Sequence, residues 1–240
     1  MLHRIVEPVS RARCVARPEL RLVPGALAVG QGATFGILGG CRTMMADLVW
    51  LRAYLAWERR DAPATETLLE LASVLDPHPI YFWLNGARII AYDMPAWEIA
   101  AAGGPLKISP TQQALISAVQ ARRALGFLDE AMIYHPANAA LWIERANIEL
   151  NRLHETAAAA ESYRRASQQP DAPYFAARLH AELLRRLGRK IEALAWLVDL
   201  HPRLPSNVEA AAADVVLARI RELERELAVP IEQIYRAPAS

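Results

Sequence analysis

The chain has 240 residues, 53% of them hydrophobic, and its 27 basic against 26 acidic residues leave a net charge of +1. That is ample apolar material for a core. The two signs alternate along the sequence, which excludes the clustered basic face that nucleic-acid binding needs. Cys14 and Cys41 stand far apart, so neither a disulfide framework nor a Cys-x-x-Cys metal site is indicated.

Residues 22–41, LVPGALAVGQGATFGILGGC, carry no formal charge. The length suits a membrane span of about twenty residues, and Ala28, Gly32, Gly36 and Gly40 are spaced like a small-xxx-small packing face. Six glycines, Pro24, Gln31 and Thr34 dilute it. The expectation is a lead-in loop whose Gly39-Gly40 pair turns into a first helix over 42–59; a membrane-associated segment is the alternative. A signal peptide fits less well, because Glu7 and Glu19 interrupt the preceding arginines.

Helix pairs then recur. In DLVWLRAYLAWERRDAPATETLLELASVLDP the spacing is carried by Ala53, Leu69, Ala72 and Pro77, with Thr65 at the small position of the second helix. The next pair is stretched. Its first helix, HPIYFWLNGARIIAYD, has Gly86 at the close-contact position; its second is predicted to open at Ser109, Pro110 and Gln112, a capping box with proline at the first helical position. That second helix carries Ala124, Leu128 and Ala131, and Pro136 follows it. Between the two helices MPAWEIAAAGGPLKI reads as an insertion, near 93–109, projecting from one face.

Trp142, Ala146, Tyr163, Ala166 and Pro170 mark the third pair. In the fourth, AARLHAELLRRLGRKIEALAWLVDLHPRLP, Ala181 and Ala193 stand where antiparallel helices approach most closely. Gly188 can take the left-handed conformation that ends a helix, and Leu197 and Pro205 complete the spacing. A capping helix is predicted over 207–228, opened by Ser206 and Glu209, with Val208, Ala211, Ala212, Val215, Val216, Ile220 and Leu223 on its apolar face. Residues 230–240 form a tail.

The Ala–Leu–Gly–Ala–Leu–Pro spacing of the fourth pair resembles the tetratricopeptide repeat, a unit of about 34 residues, although Leu200 stands where that family usually has Ala. TFGILGGCRTMMADLVWLRAYLAWERRD is similar to the start of uncharacterised bacterial tetratricopeptide proteins, in which a Gly-Gly-aromatic-Arg turn leads into the first helix; Cys41 replaces the aromatic residue here. The resemblance extends more weakly to about Pro170. It implies an all-α, right-handed α-solenoid of about four helix pairs with a C-terminal capping helix. It also implies envelope association, for which the first 21 residues offer no hydrophobic anchor.

Catalytic and metal motifs are sparse. His78, His135 and His201 each precede a proline, where an imidazole complements a helix C-terminus, and successive helix pairs hold them too far apart for one ion. HETAA at His154 lacks the second histidine of HExxH. No Gly-rich phosphate loop or nucleophile elbow is present, so neither cofactor nor metal is expected, and an enzyme using 94–109 as a lid is a reading without chemical support.

What remains is a surface. The resemblance assigns groove positions to Asp47, Trp50, Tyr54, Trp57 and Glu58, then Trp83 and Ala87, then Ile143, Asn147 and Asn151, then Phe175, Arg178, Glu182, Arg185 and Arg186. One end is aromatic and the other arginine-bearing, the residue types that dominate interface energetics. Two structural alternatives stay open: Trp50, Trp57 and Trp83 can pack in the core, and Glu182 lies one turn from Arg178 and Arg186, suited to local ion pairs. Asn147 matches the asparagine of a carboxylate clamp, but Ile143 occupies its basic position, so no such clamp is expected. The sequence thus suggests a non-catalytic adaptor, cytoplasmic or attached to the cell envelope through residues 22–41. Its partner is a protein or peptide held in the groove.

Overall fold

The computed structural model describes residues 28–205 and 207–237, with side chains from Cys41 onward. Everything described is helix, turn or loop. The chain divides into two compact units at Met44 and Met45; residues 1–27 of the first, and with them the start of the uncharged stretch, lie outside the described residues.

Helix α1 (Ala28–Glu58) is 31 residues long, so the predicted turn at Gly39-Gly40 is corrected: the helix runs through both glycines. Glycine weakens a helix by about 1 kcal/mol relative to alanine, but no proline interrupts 28–58 and the ladder continues. Among the described residues no helix is long and apolar enough to cross a membrane. Arg60, at φ 57°, ends α1. Asp61 then caps α2 (Ala62–Leu75) by accepting from the Ala64 N–H at 3.1 Å.

Helix α3 (Ile80–Arg88) does not end at an insertion. It continues through a π-helical turn, Ile89–Asp93, into α4 (Met94–Ala101), which corrects the first half of the insertion expected near 93–109; residues 102–109 are turn and loop, with Leu106 fully exposed. The cause of the π-turn is Pro95 within the first turn of α4. A proline has no N–H to give and crowds the carbonyl four residues back. Here Met94 donates to Ile89 O, one residue farther back than in an α-helix, and the widened turn accommodates the ring. Met94 and Pro95 are buried as a result. A true break follows at Gly103 and Gly104, both at positive φ.

Helix α5 (Pro110–Tyr134) opens with the expected capping box, Ser109 with Gln112. Gly86 of α3 meets the Phe127 ring of α5, and a Cβ there would lie 2.7 Å from Phe127 Cε1. Then come α6 (Ala139–Asn151), α7 (Thr156–Ser167), α8 (Tyr174–Arg186), α9 (Lys190–Leu200) and α10 (Ala213–Glu226), and from α5 to α10 each helix packs on its sequence neighbour. Gly188, at φ 78°, makes the α8–α9 turn.

The small residues predicted at close contacts are sealed: Ala53, Ala72, Ala124, Ala131, Ala146, Ala166, Ala181 and Ala193 are all buried, and so is Thr65, whose hydroxyl donates to Asp61 O. One core runs from α1 to α6; smaller ones lie among α6–α8 and α8–α10.

The capping helix begins later than its sequence suggests. Glu209–Ala211 is a 3₁₀ turn, Ala212 takes the left-handed conformation at φ 49°, and α10 starts at Ala213; Ser206 lies outside the described residues. The buried face of α10 is Val216, Ile220 and Leu223, whereas Val215 is 56% exposed. The tail folds back: the Tyr235 N–H donates to Glu224 Oε1 at 2.6 Å, and its ring packs edge-on against His201.

Candidate functional site

The structure separates the predicted groove residues into three environments. At the aromatic end Trp50 is buried and stacks on Phe82, 4.9 Å between centroids, and Trp83 is buried against Phe127. Trp83 Nε1 donates to Pro77 O at 2.8 Å, so both ring and polar tip are consumed by the fold. These two are core residues, which corrects their assignment to a binding surface. Trp57 is half-buried and tied to Asp93 Oδ2 at 2.8 Å, with Tyr54 stacked on it and half exposed.

In the middle, Asn147 and Asn151 line a shallow polar cleft with Arg88, Tyr92, Asp93 and Glu144. Its groups are already engaged. Arg88 donates to the buried Glu144 at 2.8 Å, and Asn147 Oδ1 accepts from Tyr163 OH at 2.7 Å. Burial pushes the Tyr92 phenol upward, against a lowering hydrogen bond with Asn151.

The arginine end is different. Helices α8, α9 and α10 enclose a cleft of about 480 Å³. Its floor is apolar, with Leu179, Ala181, Leu197, Val216 and Leu223 beneath Phe175 and Val215; Arg178, Arg185, Arg186 and Arg219 stand with one carboxylate, Glu182, around it. Arg185 grips Glu182 with two bonds, 2.9 and 3.0 Å, and Arg186 adds one at 3.1 Å. Arg219 lies 3.9 Å from the same carboxylate and pairs with Glu222 at 2.6 Å. The Arg185 bonds, ahead of those from Arg186, hold the Glu182 carboxyl at about 2.

Arg178 has another task. It donates to Ala210 O at 3.1 Å and Ala211 O at 2.8 Å, clamping the 3₁₀ turn before α10, so its guanidinium charge meets backbone carbonyls and no carboxylate. The cleft lining thus carries four guanidinium groups and one carboxylate, with Glu222 beside Arg219, and the balance is positive. Sequence reasoning missed Arg219 and Val215, because α10 was read only as a cap. The available signal was Arg219 one turn after Val215, on the side away from Ile220.

Among the described residues no group of three or more His, Cys, Asp and Glu side chains is placed to hold a metal. The three repeat-end histidines go to separate partners: His78 to Asp76, His135 to Pro77 O, and His201 to Tyr235 OH. No protein-family model matches the chain, and no curated protein matches it in sequence.

Proposed function

We propose that the chain is a non-catalytic adaptor built from four tetratricopeptide-like helix pairs in a right-handed stack closed by α10, and that a segment of a protein partner occupies the cleft between α8, α9 and α10. The pairing is α1 with α2, the α3–α4 rod with α5, α6 with α7, and α8 with α9. Supporting this are the buried alanines at the inter-helix positions of successive pairs and the left-handed Gly188 between α8 and α9.

The observation that carries the binding reading is the cleft itself: a concave apolar floor under an arginine-rich rim. Such a surface suits an extended or helical segment that presents a bulky apolar side chain beside carboxylates. Phe175 and Val215, 41% and 56% exposed, give area to bury, and the rim selects the charge.

A display library of short random peptides selected against the full-length chain tests this. The expected result is enrichment of peptides that combine acidic and large apolar residues, with affinity falling at least about tenfold in Val215→Asp and in the Arg185→Glu, Arg219→Glu double variant. Peptides whose binding ignores both changes, in variants with native circular dichroism, would remove the cleft from the proposal.

A further inference from the structure

Helix α1 has a second face that its own fold leaves open. Ala46, Val49, Trp50, Ala53 and Ala56 are buried on one side. On the other, Leu48 is 50%, Leu51 59% and Leu55 50% exposed, three leucines at i, i+3 and i+7. This is a heptad seam, with Leu48 and Leu55 at a positions and Leu51 at d. In the sequence the same interval reaches back through Met44 and Cys41 to Ile37. A helix already packed on its body does not need such a seam, and three leucines this exposed carry a cost in water.

The charges beside the seam point to the occupant. In this register Asp47 is a g position and Arg52 an e position, and both are exposed. Five residues apart, they are not neighbours on one helix, where pairs meet at three or four. Five is the offset between g of one helix and e of its neighbour in a parallel two-stranded pair. Two copies of α1 side by side therefore set Asp47 of each against Arg52 of the other, twice by symmetry. An antiparallel pair centred on Leu51 brings the two Arg52 side chains together instead. The buried face occupies the f, b and c positions, opposite the seam, so the body of each copy lies away from the contact.

We infer that the chain self-associates as a parallel homodimer through the Leu48, Leu51 and Leu55 face of α1, with reciprocal Asp47–Arg52 pairs fixing the register. Sedimentation velocity of the full-length chain over a range of concentrations tests it. The expected result is a concentration-dependent dimer that becomes monomeric in Leu48→Glu, Leu51→Glu. Asp47→Arg and Arg52→Asp should each weaken dimerisation about tenfold or more, and the two together should restore it. In a Cys14→Ser, Cys41→Ser chain, Leu48→Cys should oxidise to a covalent dimer, because facing a positions of a parallel pair lie within disulfide reach. A chain that stays monomeric, or a dimer indifferent to the charge swap, overturns the inference. A monomer that sediments with phosphatidylglycerol–phosphatidylethanolamine vesicles, and loses this in the leucine double variant, overturns it in favour of a lipid surface. If that double variant fails to fold, the charge swap, which leaves the leucines intact, still decides.

Discussion

The aromatic and arginine ends of the chain both offer side chains suited to recognition, and the fold uses them in opposite ways. Around α1, α3 and α5 the large rings are enclosed: Trp50 stacks on Phe82, and Trp83 lies against Phe127 with its indole N–H spent on Pro77 O. Around α8, α9 and α10 the polar groups stand at the rim of an open cleft and neutralise one another only in part. The difference follows from what each residue loses on burial. A tryptophan needs one partner for its N–H and then gains from every apolar contact, whereas a guanidinium stays solvated unless each donor is matched. Trp83 is drawn inward against Phe127, a ring that reaches its place because Gly86 leaves room for it.

The sharpest way to break this contrast is truncation at both ends. Trp83→Ala should cost about 3–5 kcal/mol of stability, the range for a buried large aromatic, and Trp50→Ala somewhat less, since Trp50 is the less enclosed of the two. Arg185→Ala should stay within about 0.5 kcal/mol, as for an exposed ion pair. Urea denaturation of the three variants checks the ordering; a Trp83→Ala loss below that of Arg185→Ala would mean that the aromatic end is surface after all. Next in size is Gly86→Val. Its Cβ meets the Phe127 ring at a distance real contacts do not show, so overpacking should destabilise the chain by about 1–3 kcal/mol. Phe127→Leu in the same chain should recover part of that.

Much of the helical order was legible from residue types alone. Small residues at fixed intervals marked the helix pairs, because two helices cannot approach closely across a large side chain, and Ser109 with Gln112 marked a helix start because their side chains satisfy backbone N–H groups. What stayed hidden depended on partners distant in sequence. A charge-free, glycine-rich stretch looks like a loop until the absence of proline from 28–58 is given its weight, and the helix before Pro95 looks broken unless the π-turn is considered. Glu144, Glu149 and Glu224 are buried, which no local pattern announces. Each is held by a donor that only the fold brings near: Arg88, Ser162 and the Tyr235 N–H. The clamp that Arg178 makes from the cleft lining stayed hidden for the same reason, since its acceptors are carbonyls more than thirty residues away.

Arg178→Ala should therefore act on structure before it acts on binding. Two charge-assisted bonds to the turn before α10 are lost, for an expected cost of about 1–2 kcal/mol after allowance for exposure, and amide exchange at residues 209–212 should quicken selectively. Equal protection in variant and parent would show that the turn does not depend on the clamp. A smaller effect, expressed as a slope, belongs to His180. It is buried, hydrogen-bonded to Ala160 O at 2.7 Å and edge-on to Trp196. Burial pushes its pKa below the ordinary value, assisted by the charges of Arg164 and Arg189 and opposed by the Ala160 bond and by Glu161. The folded chain therefore holds His180 neutral more firmly than the unfolded chain does. Its contribution is complete above about pH 6.5 and is lost as the pH falls through the lower folded value. Urea midpoints at pH 7, 6 and 5 should decline in the parent and decline less in His180→Gln, which retains an N–H for Ala160 O; parallel declines would place the titrating group elsewhere.

A small expected change in stability is also the most informative about the cleft. Glu182→Gln removes the one carboxylate that Arg185 and Arg186 share and that Arg219 approaches. At neutral pH such a partly exposed cluster is worth about 0–1 kcal/mol, and the variant should unfold close to the parent. In the parent, Glu182 is held at about 2 against an ordinary value of 4.5. Its contribution is therefore present above pH 4.5 and disappears as the pH falls through 2, a decline the variant lacks. Recognition should move the other way. With the internal anion gone, Arg185 and Arg186 are released toward whatever enters the cleft while Arg219 keeps Glu222, so acidic-apolar peptides should bind Glu182→Gln more tightly than the parent, with a steeper loss of affinity as salt is raised. Titrations at low and high ionic strength read both effects. Weaker binding in Glu182→Gln would mean that the carboxylate orients the arginines for their ligand and does not compete with it.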